Sequence, residues 1–439
     1  MTAAAPPIVK STRKERTAWY LYDFGNSAFA SVIYLAVYST YFKQVVVGGA
    51  EGTRLWGLSI GIALFIVAFI APILGAVADF SGAKKKFLIF FTAISAIFTG
   101  LLFFVQQGDI LMGMLFFIMA EIGYRSGQLF YDAFLPELAG PEEMGRVSGI
   151  GWAVGSAGGV IALLIILPLV LLIGGPTIVR FSMVITALFW VGAAIPLILW
   201  LQEKAQPKPL PAGESYVSIA FKQVRHTLAT AGRFPEMSKF MIAFLVYGSG
   251  VAIALEFAAI IGATLYGMAT EMIIVFAIIV QVTNVVGAYL FGMLVDRWGA
   301  KRSLIASILL MIGVIIWIYF NTTQIGFFFI GAAAGVAMAG IQSVSRTVVG
   351  LFAPPKQTAE FFGFFTMVGR LSFWIGPASF GLLAAGAASY YEAQGLAALP
   401  AEQQGLRMAI LAIGAFLAIG LVIFLTVNER QARAAAHGK

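Results

Sequence analysis

The sequence predicts an all-α integral membrane protein, with twelve transmembrane helices in two six-helix pseudo-repeats. Three observations carry this. The 439 residues are 60% hydrophobic and only 11% charged, where a soluble domain carries about 25% charge. Twelve apolar runs each reach the ~20 residues a membrane helix needs. A short charged motif also occurs twice, at matched places in the two halves of the chain.

The runs fall at 18–46, 54–78, 87–106, 110–135, 145–173 and 177–201, then at 236–266, 270–295, 303–320, 325–351, 359–388 and 405–428. Between the sets lies the longest polar interruption, 202–235. It opens with the Pro-rich EKAQPKPLPAG, which reads as a linker. It continues as SYVSIAFKQVRHTLATAG, which reads as an amphipathic helix on the membrane surface. The division is therefore a tail at 1–17, a bundle at 18–201, the linker at 202–235, a bundle at 236–428 and a tail at 429–439. The basic N-terminal stretch has no apolar core behind Met1 and reads as a cytoplasmic tail, not a cleaved signal.

Lys and Arg set the orientation. With the N-terminus inside, the tails and inner loops hold 21 of the 28 basic residues, and the outer loops hold Lys43, Arg54, Arg180 and Arg407. This bias places both termini in the cytoplasm. It also accounts for the net charge of +8 without nucleic acid as a partner. The remaining three, Arg125, Arg346 and Arg370, lie inside runs.

Composition excludes several chemistries. There is no cysteine, so no disulfide or thiolate metal site. The two histidines, His226 and His437, lie outside the apolar runs, which leaves no histidine relay or zinc site in the membrane. No GxxxxGK[ST] stretch exists to bind ATP. No nucleophile set or cofactor motif points to an enzyme. The expectation is no metal and no cofactor.

Charges inside a membrane span face a bundle interior or a watery cavity. The fourth run carries Glu121, Arg125, Gln128 and Asp132, spaced so that all four share one helix face. At 1.5 Å per residue, Glu121 lies roughly 16 Å below the outer surface, near the midplane. Arg370 on the eleventh run, and Gln281 and Asn284 on the eighth, fall at similar depth. Asp23 and Asn26 on the first run, and Arg346 on the tenth, lie nearer the cytoplasm. Asp23, Asn26, Glu121, Arg125, Gln281, Asn284 and Arg370 are thus candidates for substrate binding or coupling. Glu121 and Arg125 form a self-neutralising pair, or a carboxylate that exchanges its partner for substrate or proton. Asp23 reads as a gate residue paired with Arg346 or as a coupling group. Gln128 and Asp132 in one half match Gln342 and Arg346 in the other, and an inner gate between them is expected. Glu256 is placed closer to the outer side. Tyr20, Tyr22, Tyr124, Tyr131 and Tyr247 are read mainly as packing, and Gly151, Gly155 and Gly159 as close packing of the fifth helix.

The repeated motif is Gly75-Ala-Val-Ala-Asp79-Phe-Ser-Gly82-Ala-Lys84-Lys85 and Gly292-Met-Leu-Val-Asp296-Arg-Trp-Gly299-Ala-Lys301-Arg302. It resembles the signature loop of the major facilitator superfamily, in which the loop helps close the cytoplasmic side. The resemblance gives that role to Asp79, Gly82, Lys84, Asp296, Gly299 and Lys301, with Gly75 and Gly292 opening the two copies. Further stretches (Trp19 to Phe29, Leu129 to Pro136, Val147 to Gly155, Gln342 to Arg346 and Glu360 to Phe364) look like the vacuole-effluxer-like branch of that superfamily, over essentially the whole chain. One departure stands out. Where that branch often has Tyr-x-Asp-Gly in the seventh span, this chain reads Tyr247-Gly248-Ser249-Gly250.

The resemblance implies a secondary transporter for a small polar metabolite, working by alternating access. An amino acid is the expected cargo. A zwitterion would place its carboxylate on Arg370 or Arg125 and its ammonium on Glu121 or Asp23. A sugar, peptide or cell-wall fragment is the alternative, as is a sensor that keeps the transporter fold. Protons, for which carboxylates are available, and sodium are both open as the coupling ion; the lipid bilayer is the expected surroundings, a monomer the expected state, and the plasma (inner) membrane the location in a bacterium.

Overall fold

The computed structural model describes residues 11–140, 143–204, 207, 209–211, 213–232, 234–354 and 358–436. The side chains of residues 79, 144, 145, 223, 227–231 and 358–360 are outside that description. The sequence expectations for Lys10, Lys208, Arg233, Lys356, Lys439, His437 and the Asp79 and Glu360 side chains therefore lie beyond the described residues.

Among the described residues, twelve helices are long and apolar enough to cross a membrane. They are α1 (Arg13–Val47), α2 (Gly49–Ala78), α3 (Lys84–Phe104), α4 (Ile110–Leu138), α5 (Arg146–Ile173) and α6 (Gly175–Trp200). After a linker helix, Tyr216–Ala231, come α7 (Pro235–Tyr266), α8 (Thr270–Trp298), α9 (Ala300–Phe320), α10 (Gln324–Phe352), α11 (Phe361–Ala393) and α12 (Ala398–Leu425). Each expected apolar run overlaps one of these helices.

Local chemistry explains where several begin and bend. Thr12 and Glu15 form a capping box that starts α1: the Glu15 amide donates to Thr12 Oγ1 at 3.2 Å and the Thr12 amide donates to Glu15 Oε2 at 2.6 Å. Within α1, residues Ala30–Tyr34 and Phe42–Val47 wind as π-helix. Such widened turns recur at functional sites, and here the first one carries Ser31 and Tyr34 to the centre of the molecule. Pro72, Pro168, Pro196 and Pro377 sit inside α2, α5, α6 and α11, where each removes a backbone donor.

In the first set of six, α1 packs on α5 and α6, α3 on α4 and α6, and α2 on α4. In the second set, α8 packs on α10, α7 on α11 and α12, and α9 on α10 and α12. Between the sets, α2 lies along α11, and α5 meets α8. The linker helix lies against α2, with Phe221 and Phe69 ring centroids 6.4 Å apart.

The α1–α5 crossing is built on glycine. A Cβ at Gly151 would meet the Trp19 ring, one at Gly155 the Asp23 carboxylate, and one at Gly158 the Phe24 carbonyl. The close packing expected of the fifth helix is thus present, and Gly158 adds to the expected trio.

The two signature loops turn through glycine with positive φ, +58° at Gly82 and +82° at Gly299. Both loops fasten to the end of the sixth helix of their own half. Lys85 Nζ donates to the Leu201 carbonyl at 2.6 Å, and Lys301 Nζ donates to those of Leu425 and Val427 at 3.1 and 2.6 Å. Lys84 pairs with Glu137 at 2.7 Å, while Glu203 accepts from the Lys84 and Lys85 amides at 2.7 and 3.2 Å. Asp296 is exposed, and Gly75 and Gly292 face open space.

The contacts between halves are not spread evenly. At the side away from the termini, Lys43 of α1 and Glu402 of α12 pair at 2.5 Å and are both buried. There α2 and α11 cross on small residues: a Cβ at Gly57 would lie 2.5 Å from the Pro377 carbonyl oxygen, and one at Gly381 would lie 3.0 Å from that of Thr53. On the termini side, Asp132 and Arg346 are exposed although both belong to spans. The halves thus meet tightly on the far side, and the exposed Asp132 and Arg346 mark where the helices leave a recess on the termini side.

Candidate functional site

The site has two levels. The deeper one is a cluster around Arg125. Four residues apart on α4, Arg125 Nε donates to Glu121 Oε1 at 2.7 Å, and Glu121 is completely buried. The same guanidinium reaches across to α7, where its Nη2 lies 3.5 Å from Glu256 Oε1; Glu256 is also completely buried. Three rings surround the cation: Tyr34 from the π-helical turn of α1 at 5.7 Å, Tyr124 at 5.3 Å and Phe373 of α11 at 5.2 Å. Ring faces stabilise a desolvated cation. Glu121 Oε2 and both Glu256 carboxylate oxygens have no hydrogen-bond partner among the described residues.

The sequence sets Arg370 opposite Glu121 and Arg125, and Glu256 closer to the outer surface. Arg370 is within electrostatic reach of Arg125 but pairs with neither residue, and the structure corrects the placement of Glu256. Glu256 is the group from the second half that meets the pair. It lies ten residues from Tyr266, the far end of α7, or about 15 Å, which is nearly the depth of Glu121. Counting inward from that end would have found it. The Glu121 carboxylate is sealed inside the cluster, so it is not open to a substrate ammonium.

The shallower level surrounds the recess. Asp132 lies within electrostatic reach of Arg346 and Arg370. Arg370 in turn feels Asp132 and Arg125, and Asp23 feels Asp132 and the Asn26 side chain. Asp23 and Arg370 are half-buried, and Asn26 is buried. Among the described residues, Asp23, Asp132, Arg346 and Arg370 form no ion pair within 4 Å. The expected inner-gate pairs are therefore not made in this structure. Asp132 and Arg346 stand apart, and Gln128 donates to the Tyr124 hydroxyl at 3.1 Å instead of meeting Gln342. Asp23 likewise neighbours Asp132, not Arg346.

Two other expected residues have structural partners. Gln281 Nε2 donates to Ser31 Oγ at 3.0 Å, tying α8 to the π-helical turn of α1. Asn284 Nδ2 donates to the Gly335 carbonyl at 3.3 Å, a bond within the second half. Ser249, at the place of the family acid, donates to the Leu245 carbonyl at 2.8 Å, so its hydroxyl is spent on its own helix. Glu256 lies seven residues on, two turns along the same face. The tyrosines mostly pack: Tyr131 stacks on Trp19 at 4.4 Å, Tyr22 bonds Thr92 at 2.7 Å and Tyr247 bonds Ser345 at 2.7 Å. The Lys43–Glu402 pair and Tyr34 carry no motif in the sequence.

Comparison with known proteins fits a transporter built on this plan. A bacterial homologue of the human lysosomal transporter Spinster, solved inward-facing and unoccupied, superimposes with a TM-score of 0.71 at 16% identity, over 96% of this chain and 98% of that one. The nucleoside transporter NupG superimposes with a TM-score of 0.68 at 14% identity, over 94% and 99%. Both likenesses show a shared fold. In sequence, an uncharacterized MFS-type transporter YxiO of Bacillus subtilis (strain 168) is 29% identical over 381 residues, 84% of this chain and 88% of that protein. Autophagy-related protein 22-1 of Penicillium rubens is 25% identical over 261 residues, 54% of this chain and 44% of that protein. Residues 55–437 match the family described as vacuole effluxer Atg22 like. The chain is a membrane transporter of the major facilitator type, and it belongs to the vacuole effluxer Atg22-like family.

Proposed function

We propose that this transporter carries a small zwitterionic metabolite, an amino acid by class, through alternating access driven by protons. The observation that supports it most is the set of separated charges around the recess. Arg370 offers a cation, and Asp23 and Asp132 offer anions, with no ion pair within 4 Å made by any of them among the described residues. Unpaired charges at membrane depth are costly, and a ligand carrying both signs would satisfy them together. In this reading the ligand carboxylate sits on Arg370 and its ammonium on Asp23 or Asp132. Arg125 is excluded as the carboxylate receptor because two glutamates already engage it.

The same reading gives the recess to the cytoplasmic side, by the excess of Lys and Arg there, and places the chain in the plasma membrane of a bacterium. The conformation is then inward-open, as a monomer of two six-helix bundles joined by the linker. Asp132 with Arg346, and Gln128 with Gln342, would close the inner side in the opposite state, the signature loops moving with their own halves.

The test is counterflow of radiolabelled amino acids into proteoliposomes. Arg370→Ala should abolish exchange while the purified protein keeps its melting behaviour. Undiminished exchange by that variant removes Arg370 from the site, and absence of amino-acid exchange by the unaltered protein removes the cargo class.

A further inference from the structure

The cluster around Arg125 does not balance in charge. Two carboxylates and one guanidinium sum to one negative charge if all are ionised. Glu121 and Glu256 have no solvent exposure, and three of their four oxygens have no hydrogen-bond partner among the described residues. An ionised carboxylate in such surroundings is strongly disfavoured, and proteins commonly neutralise it by binding a proton. Glu121 is held by Arg125 at 2.7 Å in a charge-assisted bond. Glu256, at 3.5 Å and without a hydrogen bond, is the acid left over.

We propose that Glu256 binds a proton when the two halves close on the far side, and that this proton is what couples closure to the gradient. The inference deepens the transport reading and rests on it for direction of coupling. With Glu256 neutral, the cluster is a balanced Glu121–Arg125 pair beside a carboxylic acid. With the far side open, Glu256 leaves the dry seam between halves and meets water, where it ionises at ordinary pH. Protonation therefore favours the far-closed state.

Among the described residues, the neighbours of α7 leave no other group to neutralise it. From α4 come Arg125 and Glu121, the charges that act on Glu256. From α2, the Trp56 indole donates to the Glu256 backbone carbonyl at 3.1 Å, not to its carboxylate. On α12, Glu402 is paired with Lys43 of α1, and Arg407 donates to the Tyr319 and Asn321 carbonyls. Arg370 of α11 and Arg346 of α10 act on Asp132. Glu271 opens α8 at its far end, and the linker and tail helices touch α7 on the termini side. A metal cation is the wrong occupant, because the guanidinium would repel it.

The chain has no cysteine, so Gln107→Cys and Thr322→Cys, both exposed on the far side in opposite halves, give a clean spin-label pair. No substrate is added. Acidification should raise the short-distance population, by up to about tenfold per pH unit, the limit for one linked proton. Glu256→Gln should fix that population high and abolish its pH dependence, while Glu121→Gln should leave a dependence. In parallel, infrared spectra of the cysteine-less protein should contain a protonated-carboxyl band at neutral pH that disappears in Glu256→Gln. An unchanged pH response in Glu256→Gln, a shift driven by sodium at constant pH, or no such band in the unaltered protein overturns the inference. Absence of the band in the unaltered protein overturns the inference even if the variant does not fold. Loss of amino-acid exchange with the pH response intact removes the cargo and spares Glu256.

Discussion

Arg125 holds a carboxylate from each half and is capped by three rings, so its removal should cost more than the loss of one ion pair. Arg125→Ala leaves the Glu121 carboxylate buried without a cation, beside the Glu256 acid. Breaking a buried pair in this way costs about 3–5 kcal/mol, and a melt in detergent should show a variant that is less stable by that order. Adding Glu121→Gln and Glu256→Gln to Arg125→Ala removes the stranded charge and the buried acid, and should recover most of the loss. If the triple variant melts no higher than Arg125→Ala, the cost came from lost packing against Tyr34, Tyr124 and Phe373. Arg370 behaves differently. It carries no ion pair within 4 Å among the described residues, so Arg370→Ala should abolish exchange with little change in stability.

The crossing of α1 and α5 separates folding from function within one element. A Cβ at Gly158 would lie 2.0 Å from the Phe24 carbonyl oxygen. Backbone cannot step aside, so Gly158→Ala should push the helices apart and lower the melting temperature and expression. A Cβ at Gly155 would lie 2.4 Å from Asp23 Oδ2, the far end of a side chain that can rotate. Gly155→Ala should fold normally and displace the carboxylate, raising the KM for substrate. Comparing melting curves and exchange rates of the two variants checks this. If both melt alike and transport alike, the crossing does not hold Asp23 in place. The π-helical turn at Ala30–Tyr34 adjoins this crossing. It supplies Ser31 to Gln281 and Tyr34 to Arg125, so one widened turn serves both the seam between halves and the central cluster.

For the whole molecule, the balance between states depends on contacts that exist in only one of them. The buried Lys43–Glu402 pair, the α2–α11 crossing and the Arg125–Glu256 contact all lie between the middle and the far side. Lys43→Glu or Glu402→Lys puts like charges face to face and should shift the protein toward the far-open state. The double exchange, Lys43→Glu with Glu402→Lys, should restore the original balance. Labelling of a single cysteine at Ser39, buried near Lys43, reports the outcome: fast in each single variant, slow in the double. Equal labelling of all three would mean that the pair does not lock the far side.

The sequence by itself determined the number and order of spans, because each must present about twenty apolar residues to lipid and no folding partner can relax that demand. It also singled out polar groups at membrane depth, since their cost marks them whatever their partners. It did not determine the partners. Helical spacing on α4 placed Glu121 beside Arg125, a contact within one turn. The contacts of Arg125 with Glu256 and of Lys43 with Glu402, and the bonds of Gln281 to Ser31 and of Asn284 to Gly335, join residues far apart in the chain. They depend on how whole helices cross, on glycine at Gly57, Gly158 and Gly381, and on which side of the transporter is closed. A transporter has more than one such arrangement for one sequence. Whether Asp132 and Arg346 meet is therefore decided by conformation, and in this structure they stand apart, while the presence of those charges in the spans is decided by the chain.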